Sequence, residues 1–296
     1  MNLKETCDAI RTVKIQGAEN ITTAALKALE YTVYTSKAKT KVHFLKELEQ
    51  AKNQLFATRS TEPEMRNYCN EVINFAKKFP EKAIQHLKHA TKENIKHMLI
   101  KKQERKERLV KVGRIFLVNE RKKKSVKIYT HCHASSVTDI LKAAHKEKKI
   151  TVINTETRPL FQGRKTALEC TQAGISVIHY VDAAMACAIQ QADLILIGAD
   201  AITSKGVYNK IGSEIVAILA NHYKKPVFIC ASLWKYDKKM VNIEQRDTRE
   251  VWDYTKKGMH IENPAFEKIH WKHIERMICE EGVITPKRFL KLAEKK

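Results

Sequence analysis

The sequence predicts an α/β protein with a helical N-terminal domain over residues 1–120 and a doubly wound parallel-sheet domain over residues 121–296. Two patterns support this fold class. Up to about residue 115, helix-forming residues dominate and apolar residues recur at helical spacing. From Val126 onward, short apolar runs alternate with amphipathic stretches, which is typical of parallel strands covered by helices on both faces.

The helical domain is predicted from the spacing of its apolar residues, such as Ala24, Leu26 and Leu29 early in the chain and Val72 and Ile73 later. Few helix-breaking residues interrupt this region, so we expect it to hold several helices. The breaking residues are Gly17, Pro63, Pro80 and Gly113.

The sheet domain is predicted to contain short apolar strands separated by helical stretches. The strands are Val126–His131, Ile150–Asn154, Ile175–Tyr180, Leu194–Ile197 and Val227–Ala231. The helical stretches lie near residues 136–146, 164–172, 183–190 and 213–223. In a doubly wound sheet, ligands bind beyond the carboxyl ends of the strands, so the residues that follow each strand form the candidate site.

The composition and motifs narrow the classes of function. The dinucleotide pattern G-x-G-x-x-G and the phosphate-loop pattern G-x-x-x-x-G-K-[ST] do not occur, which argues against a nicotinamide dehydrogenase or a P-loop nucleotide hydrolase, and we predict no cofactor. The cysteines are scattered and form no C-x-x-C pair, which suits a reducing compartment. The longest apolar runs, such as Ile215–Ala220, are too short to cross a bilayer, and the N-terminus lacks a signal-peptide pattern. We therefore expect a soluble cytoplasmic protein with no membrane partner.

The net charge of +22, from 55 basic and 33 acidic residues, admits three interpretations. A nucleic-acid partner would use it for phosphate contacts, and an anionic small substrate would be attracted by it. It could also simply keep the surface solvated. Because charges of both signs alternate on helical surfaces, as in residues 101–108, and aromatic residues are not interleaved with them, a nucleic-acid partner is the least favoured.

The first strand leads into His131-Cys132-His133 and then Ser135 and Ser136, where a helix begins. We expect the serines to cap this helix, whose N-terminal N–H groups could hold a phosphate and whose field would lower the pKa of Cys132 from its usual value of about 8.5. Cys132 is thus a candidate base or nucleophile. A metal site is disfavoured because alternate residues of a strand face opposite sides, and a purely structural cysteine remains an alternative.

Polar residues also follow two later strands. The loop Thr155–Arg164 places polar groups beyond the second strand, although it could be a plain connection with a surface Arg–Glu pair. Asp200 follows the apolar run Leu194–Ile197 and is expected to be partly enclosed, which would raise its pKa and let it donate a proton; a capping aspartate is the alternative. Lys210, in the segment Asn209–Ser213 that we expect to open another helix, could hold a phosphate, orient Asp200 or be solvated.

Together these motifs resemble one superfamily, the translation initiation factor 2B α, β and δ subunits and their sugar-phosphate isomerase relatives. The resemblance covers nearly the whole chain, and T-H-C-H, T-E-T-R-P-x-x-Q-G-[KR] and G-A-D-x-I-T look most like archaeal ribose-1,5-bisphosphate isomerases. The matching segments are Thr130–Ser136, Thr155–Arg164, Gly198–Thr203, Asn209–Ser213, Asn263–Phe266 and Glu280–Ile284, with Gly17-Ala18 and Ala57-Thr58-Arg59 nearer the start.

The resemblance implies a helical domain, a Rossmann-like domain and a homo-oligomer, either a dimer or a hexamer. It implies conversion of α-D-ribose 1,5-bisphosphate to ribulose 1,5-bisphosphate in the breakdown of AMP, with Cys132 as general base, Asp200 as general acid, and no cofactor or metal. The residues that match substrate contacts of the family are Gly17, Ala18, Arg59, Ser135, Ser136, Asn209, Lys210 and Lys235.

Three positions around the expected phosphates depart from the isomerase pattern. Gln16 and Glu19 flank Gly17-Ala18 where the isomerases usually have Arg-Gly-Ala-Gly, and Ser136 stands where they tend to have lysine. Two other functions stay open: a non-catalytic subunit that binds a translation initiation factor or senses a nucleotide or sugar phosphate, and a methylthioribose-1-phosphate isomerase. The presence of both a cysteine and an aspartate at the matching positions favours an enzyme, because initiation-factor subunits of the superfamily typically lack this pair.

Overall fold

The described part of the chain forms two compact units, Met1–Arg105 and Lys106–Lys296, called unit 1 and unit 2 below. The computed structural model describes residues 1–59, 61–80, 83–119, 124–238 and 243–295. The predicted order, with helices first and a mostly parallel sheet second, is confirmed. The predicted domain boundary between residues 120 and 121 lies outside the described residues and stays a prediction. Within the described ranges, no helix combines the length and the apolar character that crossing a membrane requires.

Unit 1 consists of helices that begin at recognisable local signals. Their bounds are α1 (Leu3–Arg11), α2 (Ala18–Thr35), α3 (Lys41–Phe56), α4 (Pro63–Lys78) and the first part of α5 (Ile84–Asn119). Asn2 and Glu5 form a capping box on α1, and Pro63 occupies the first turn of α4, where its missing N–H costs nothing. Leu26 and Leu29, whose spacing predicted α2, are fully buried.

Unit 2 contains two sheets. The strands in chain order are β1 (Ser125–Thr130), β2 (Lys149–Thr155), β3 (Ser176–Tyr180), β4 (Leu194–Ile197), β5 (Ala201–Thr203), β6 (Gly206–Lys210), β7 (Val227–Cys230), β8 (Phe266–Ile269), β9 (Arg276–Cys279) and β10 (Gly282–Ile284). The larger sheet has the order β10-β9-β7-β4-β1-β2-β3 and is parallel except for β10, which runs antiparallel to β9. The smaller sheet is antiparallel, with the order β5-β6-β8.

Helices cover both faces of the larger sheet. They are the rest of α5, then α6 (Ser135–His145), α7 (Gln162–Gln172), α8 (Met185–Gln190), α9 (Ser213–His222) and α10 (Pro286–Ala293). Neighbouring residues of β1 show how the two cores arise: Ile128 packs in one apolar cluster with Ile140 of α6, and Tyr129 packs in the other with Val216 of α9. Because both of their faces are buried, the central strands β4 and β7 are continuous apolar runs.

The strand order reverses between β1 and β4. From β1 the chain passes outward to β2 and β3, and it then returns to pair β4 with the other side of β1. Such a reversal opens a crevice beyond the carboxyl ends of the two neighbouring strands. Cys132 follows the end of β1 at Thr130, and Asp200 follows the end of β4 at Ile197, so both residues lie at this crevice.

The smaller sheet was not predicted, and it corrects one expectation. Asn209 and Lys210 are the last residues of β6 and do not belong to the start of a helix, because α9 begins only at Ser213. β6 is held by antiparallel pairing with β8, which lies far along the chain. A pairing of that sequence separation leaves no local pattern in the sequence.

Gly163 offers a test of how tightly the segment after β2 packs against α7. A Cβ atom at this position would collide with the carbonyl oxygen of Thr155, whereas a Cβ at Gly174 would meet no described atom within 4 Å. We expect Gly163→Ala to lower the free energy of unfolding by roughly 3 kcal/mol. Gly174→Ala should lower it by only about 1 kcal/mol, because φ there is +80° and left-handed backbone strains an L-residue. Urea unfolding followed by circular dichroism measures both, and a Gly163→Ala variant as stable as the wild type would contradict this packing.

Candidate active site

Cys132 occupies an unusual backbone conformation just past β1. Its φ is +63°, in the left-handed region that non-glycine residues rarely adopt. Its N–H donates to the Thr157 hydroxyl at 3.1 Å, and its carbonyl oxygen accepts from the Thr166 hydroxyl at 2.7 Å. Both peptide groups that flank Cys132 are therefore held by side chains from the segment after β2.

The two histidines beside Cys132 point to different elements. Nε2 of His131 lies 2.8 Å from the Ile211 carbonyl oxygen, whereas Nε2 of His133 lies 3.0 Å from a carboxylate oxygen of Glu169. Because a carbonyl oxygen only accepts, Nε2 of His131 carries the proton. The described residues contain no cluster of three His, Cys, Asp or Glu side chains arranged to hold a metal ion.

The thiol of Cys132 ionises less readily than the sequence suggested. Burial raises its pKa to about 11, and the negative charges of Asp200 and Asp182 act in the same direction. Lys210 and the His133 N–H oppose them. The expectation of a lowered pKa at Cys132 is therefore wrong. Burial withdraws the thiolate from water, and this cost outweighs the stabilisation by the nearby positive groups. Asp200 and Lys210 are thus near enough to the thiol to act on it electrostatically.

Asp200 is tied to the smaller sheet directly after β4. Its N–H donates to the carbonyl oxygen of Tyr208 on β6 at 2.9 Å. The ammonium of Lys235 donates to the carbonyl oxygen of Ala199 at 2.6 Å, which fixes the residue just before it. The predicted residues Asp200 and Lys235 thus meet at the end of β4.

Asn209 and Lys210 are buried at the end of β6, with 5% and 6% of their surfaces exposed. The Asn209 amide donates to the Ser213 hydroxyl at 2.8 Å, and that hydroxyl donates to the Lys210 carbonyl oxygen at 2.6 Å. The Lys210 ammonium lies 5.8 Å from the centre of the Phe266 ring. Of the alternatives, a solvated Lys210 is wrong, because this side chain is buried next to Cys132.

Two helix N-termini near these residues differ in what binds them. At α9, the N–H groups of Gly212, Ser213 and Glu214 bond to the carboxylate of Glu267, which already fills the position an anion would take. At α6, Ala134 is the N-cap residue, and its own side chain makes no capping hydrogen bond.

The predicted serine caps of α6 are therefore wrong. Ala134 is extended and precedes the helix, whereas Ser135 and Ser136 already lie in its first turn. The Ser136 hydroxyl lies 3.4 Å from the Cys230 carbonyl oxygen. α6 thus begins beside Cys132, and its N-cap residue has no polar side chain of its own.

The remaining predicted contacts lie in unit 1. Gly17, with a φ of +80°, precedes α2, and Ala18 is the first residue of that helix. Arg59 follows α3. Glu19, one of the departures from the isomerase pattern, has a carboxylate oxygen 3.9 Å from the ammonium of the buried Lys102. The anion that this departure introduces is therefore matched by a cation of the same unit.

The loop between β2 and α7 contains contacts that sequence reasoning missed. The expected surface pair forms between Glu156 and Arg164 at 2.8 Å, and such an exposed pair contributes little to stability. The sequence did not single out Thr157 or Thr166 as contacts of Cys132. The available signal was the order of parallel strands, since β2 neighbours β1 and their carboxyl ends meet at one edge. The side-chain oxygen of Gln162 is buried without a hydrogen-bond donor among the described residues.

Comparison with known proteins shows which family the chain belongs to. The profile of the Initiation factor 2 subunit family matches residues 14–286. The chain belongs to this family. A ribose 1,5-bisphosphate isomerase of Pyrococcus furiosus is 32% identical over 95% of this chain and 90% of its own length. A methylthioribose-1-phosphate isomerase of Desulforamulus reducens is 31% identical over 94% of this chain and 86% of its own length.

A solved structure of the family extends the likeness to the fold. The translation initiation factor eIF-2B of Pyrococcus horikoshii OT3 superposes with a TM-score of 0.81 at 21% identity, over 97% of this chain and 98% of its own. At this identity the likeness concerns the fold alone.

Asp200 and Lys210 should shift the reactivity of Cys132 in opposite directions. We expect Asp200→Asn to lower the pKa of Cys132, because an anion that disfavours the thiolate is removed, and Lys210→Met to raise it. At a fixed pH between about 7 and 10, alkylation by iodoacetamide should become about three- to tenfold faster in the first variant and slower in the second, as a change of half to one pKa unit implies. Peptide mass spectrometry follows Cys132, with the exposed Cys187 as internal reference. Equal rates in both variants would show that the three side chains do not share one site.

Proposed function

We propose that this protein converts α-D-ribose 1,5-bisphosphate to ribulose 1,5-bisphosphate, with Cys132 as general base and Asp200 as general acid. The coarser statement, that it is an enzyme of the sugar-phosphate aldose–ketose isomerase kind, follows from its relatives. One observation carries the assignment of the two residues: Cys132 and Asp200 follow the neighbouring strands β1 and β4 at the switch point of the sheet, where the charge of Asp200 helps to raise the pKa of Cys132.

The reaction needs one acid and one base. An aldose phosphorylated at C1 cannot open its ring freely, so the ring oxygen must receive a proton, which Asp200 supplies. Cys132 as thiolate then removes the proton at C2, giving an enol phosphate. The C2 hydroxyl proton returns to Asp200 and the C2 proton is delivered to C1, which yields the ketose and restores both groups.

The proposed mechanism needs the proton on Asp200, but at neutral pH it lies on Cys132 and must first be transferred. With a pKa near 11, Cys132 holds its proton at neutral pH while Asp200 opposes its ionisation. Moving that proton to Asp200 removes the opposing charge and leaves a thiolate that Lys210 stabilises. In the proposed active form the two groups thus carry one proton between them, which lies on Asp200.

Groups around the pair suit a phosphorylated sugar. The positive end of the α6 dipole, where Ser135 and Ser136 lie, would attract a phosphate, and Lys210 offers a buried cation. Asn209 and Lys235 line the same strand ends. The roles of Gly17, Ala18 and Arg59 as substrate contacts stay predictions from the family resemblance, as do a homo-oligomer, whether dimer or hexamer, and a place in AMP breakdown.

Methylthioribose 1-phosphate is the second candidate substrate, because one of the relatives at a similar identity carries that name. The acid–base chemistry is the same for both sugars. They differ at C5, where one carries a phosphate and the other a methylthio group. A non-catalytic subunit that binds a translation initiation factor is the candidate from another class, and the fold shared with the Pyrococcus horikoshii eIF-2B does not by itself separate it from an enzyme.

Turnover of the two sugars decides among these functions. We expect the purified protein to convert ribose 1,5-bisphosphate with a higher kcat/KM than methylthioribose 1-phosphate. Cys132→Ser and Asp200→Asn should each lower kcat by about 10²- to 10⁴-fold, because serine is too weak a base and asparagine cannot donate the proton. Cys187→Ser, which changes an exposed cysteine, is the matched control and should keep the wild-type rate.

The reverse order of kcat/KM would assign the methylthioribose substrate. No turnover of either sugar phosphate, together with binding to an initiation factor, would overturn the enzymatic proposal. An Asp200→Asn variant that alkylates faster at Cys132 and yet turns over slowly would separate the acid role from a loss of folding.

A further inference from the structure

A second residue near Cys132 also adopts left-handed backbone. Thr157 has a φ of +60°, and for a β-branched side chain this is an outlier that the surrounding structure must hold in place. Cys132 and Thr157 are joined by a hydrogen bond, in which the Cys132 N–H donates to the Thr157 hydroxyl at 3.1 Å. Two unfavourable conformations are thus coupled through one contact.

Asp182 holds the backbone at Thr157. One of its carboxylate oxygens accepts the Thr157 N–H at 2.9 Å, and the other accepts the Arg158 N–H at 2.7 Å. Two consecutive N–H groups can converge on one carboxylate only when the peptide between them is turned, as the left-handed Thr157 turns it. Hydrogen bonds to a charged acceptor are the stronger kind, so this contact can offset the strain.

The carboxylate of Asp182 does not serve its own helical turn. Asp182 opens the short 3₁₀ turn Asp182–Ala184 that leads into α8, and the N-cap residue of that turn is Val181, which extends no side chain to it. An aspartate in the first turn of a helical segment ordinarily interacts with the N-terminal N–H groups of that segment. Its two acceptors are directed across the sheet, from the end of β3 to the loop after β2.

We propose that Asp182 is a positioning residue that holds Cys132 in its reactive conformation through Thr157, with Thr166 fixing the other side of the cysteine. The order of contacts is Asp182 to the Thr157 and Arg158 N–H groups, the Thr157 hydroxyl to the Cys132 N–H, and the Thr166 hydroxyl to the Cys132 carbonyl oxygen. Left-handed backbone at Cys132 departs from the extended conformation of β1, so the regular alternation of side chains along that strand ends at this residue. As far as it concerns turnover, this inference rests on the proposed function.

The Thr157 hydroxyl is tested by a pair of substitutions. Thr157→Val keeps the shape and removes the acceptor, so kcat should fall about 10- to 100-fold while KM changes by less than about threefold, because the base is misplaced and not the bound sugar. The alkylation rate of Cys132 should change at least about threefold relative to glutathione in the same tube. Thr157→Ser keeps the hydroxyl and should restore both values. Thr91→Val is the matched control, since Thr91 is a fully buried threonine of α5 whose hydroxyl bonds to the Leu87 carbonyl oxygen.

The link to Asp182 is tested by a double-mutant cycle. Asp182→Asn removes one of the two acceptors and should act in the same direction on kcat. Combined with Thr157→Val it should add little, because both changes break one chain of contacts. Effects that multiply, or an unchanged alkylation rate in Thr157→Val, would overturn the proposal. If Thr157→Val does not fold, Thr157→Ala, which also removes the hydroxyl but is not β-branched, replaces it in the cycle with Asp182→Asn, and the alkylation rates decide it in the same way.

The alkylation arm keeps this inference separate from the proposed function. A wild-type protein that turns over neither sugar phosphate would remove the proposed function, while the alkylation rates of the same variants would still report whether Cys132 is held by Thr157 and Asp182. Conversely, normal alkylation in every variant of an active enzyme would remove the positioning role alone.

Discussion

The pairing of β1 with β4 is the constraint on which the site depends. Ile128 and Tyr129 lie opposite Leu194 and Ile195, and this register sets the ends of the two strands side by side at the point where the strand order reverses. Asp200 and Lys210, whose charges act on the cysteine, both lie in the segment of the chain that follows β4. The chain after β4 enters the smaller sheet, whose middle strand ends at Lys210, so a short antiparallel sheet delivers a buried cation to the end of a parallel one.

Two unfavourable features are maintained at that edge. Cys132 is held in left-handed backbone, and burial keeps its thiol protonated well above neutral pH. In an exposed loop the backbone of Cys132 would return to a common conformation and its thiol would have its ordinary pKa, so both features depend on the surrounding hydrogen bonds and packing. Burial raises the pKa of Cys170 to about 11 as well, so the shifted ionisation is shared, whereas left-handed backbone distinguishes Cys132 from the other cysteines and is typical of functional sites.

The departures from the isomerase pattern have local explanations. Glu19 is approached by Lys102 within unit 1, and the Ser136 hydroxyl lies near the Cys230 carbonyl oxygen. At α9, Glu267 already satisfies the N-terminal N–H groups, which leaves α6 as the better phosphate position of the two. The net charge of +22 agrees with an anionic substrate, because a field of one sign raises the local concentration of the opposite ion.

The sequence by itself determined the elements that local pattern encodes. Continuous apolar runs predicted β1 to β4 and β7, and helical spacing predicted the helices between them, because burial on both faces imposes those patterns. It also predicted Cys132 and Asp200 as strand-end residues. Only the tertiary structure decided the strand order, the smaller sheet that ends at Lys210, and the contacts of Thr157 and Asp182. These depend on pairings between distant segments, and a hydrogen bond across such a separation constrains three-dimensional position without constraining the local sequence.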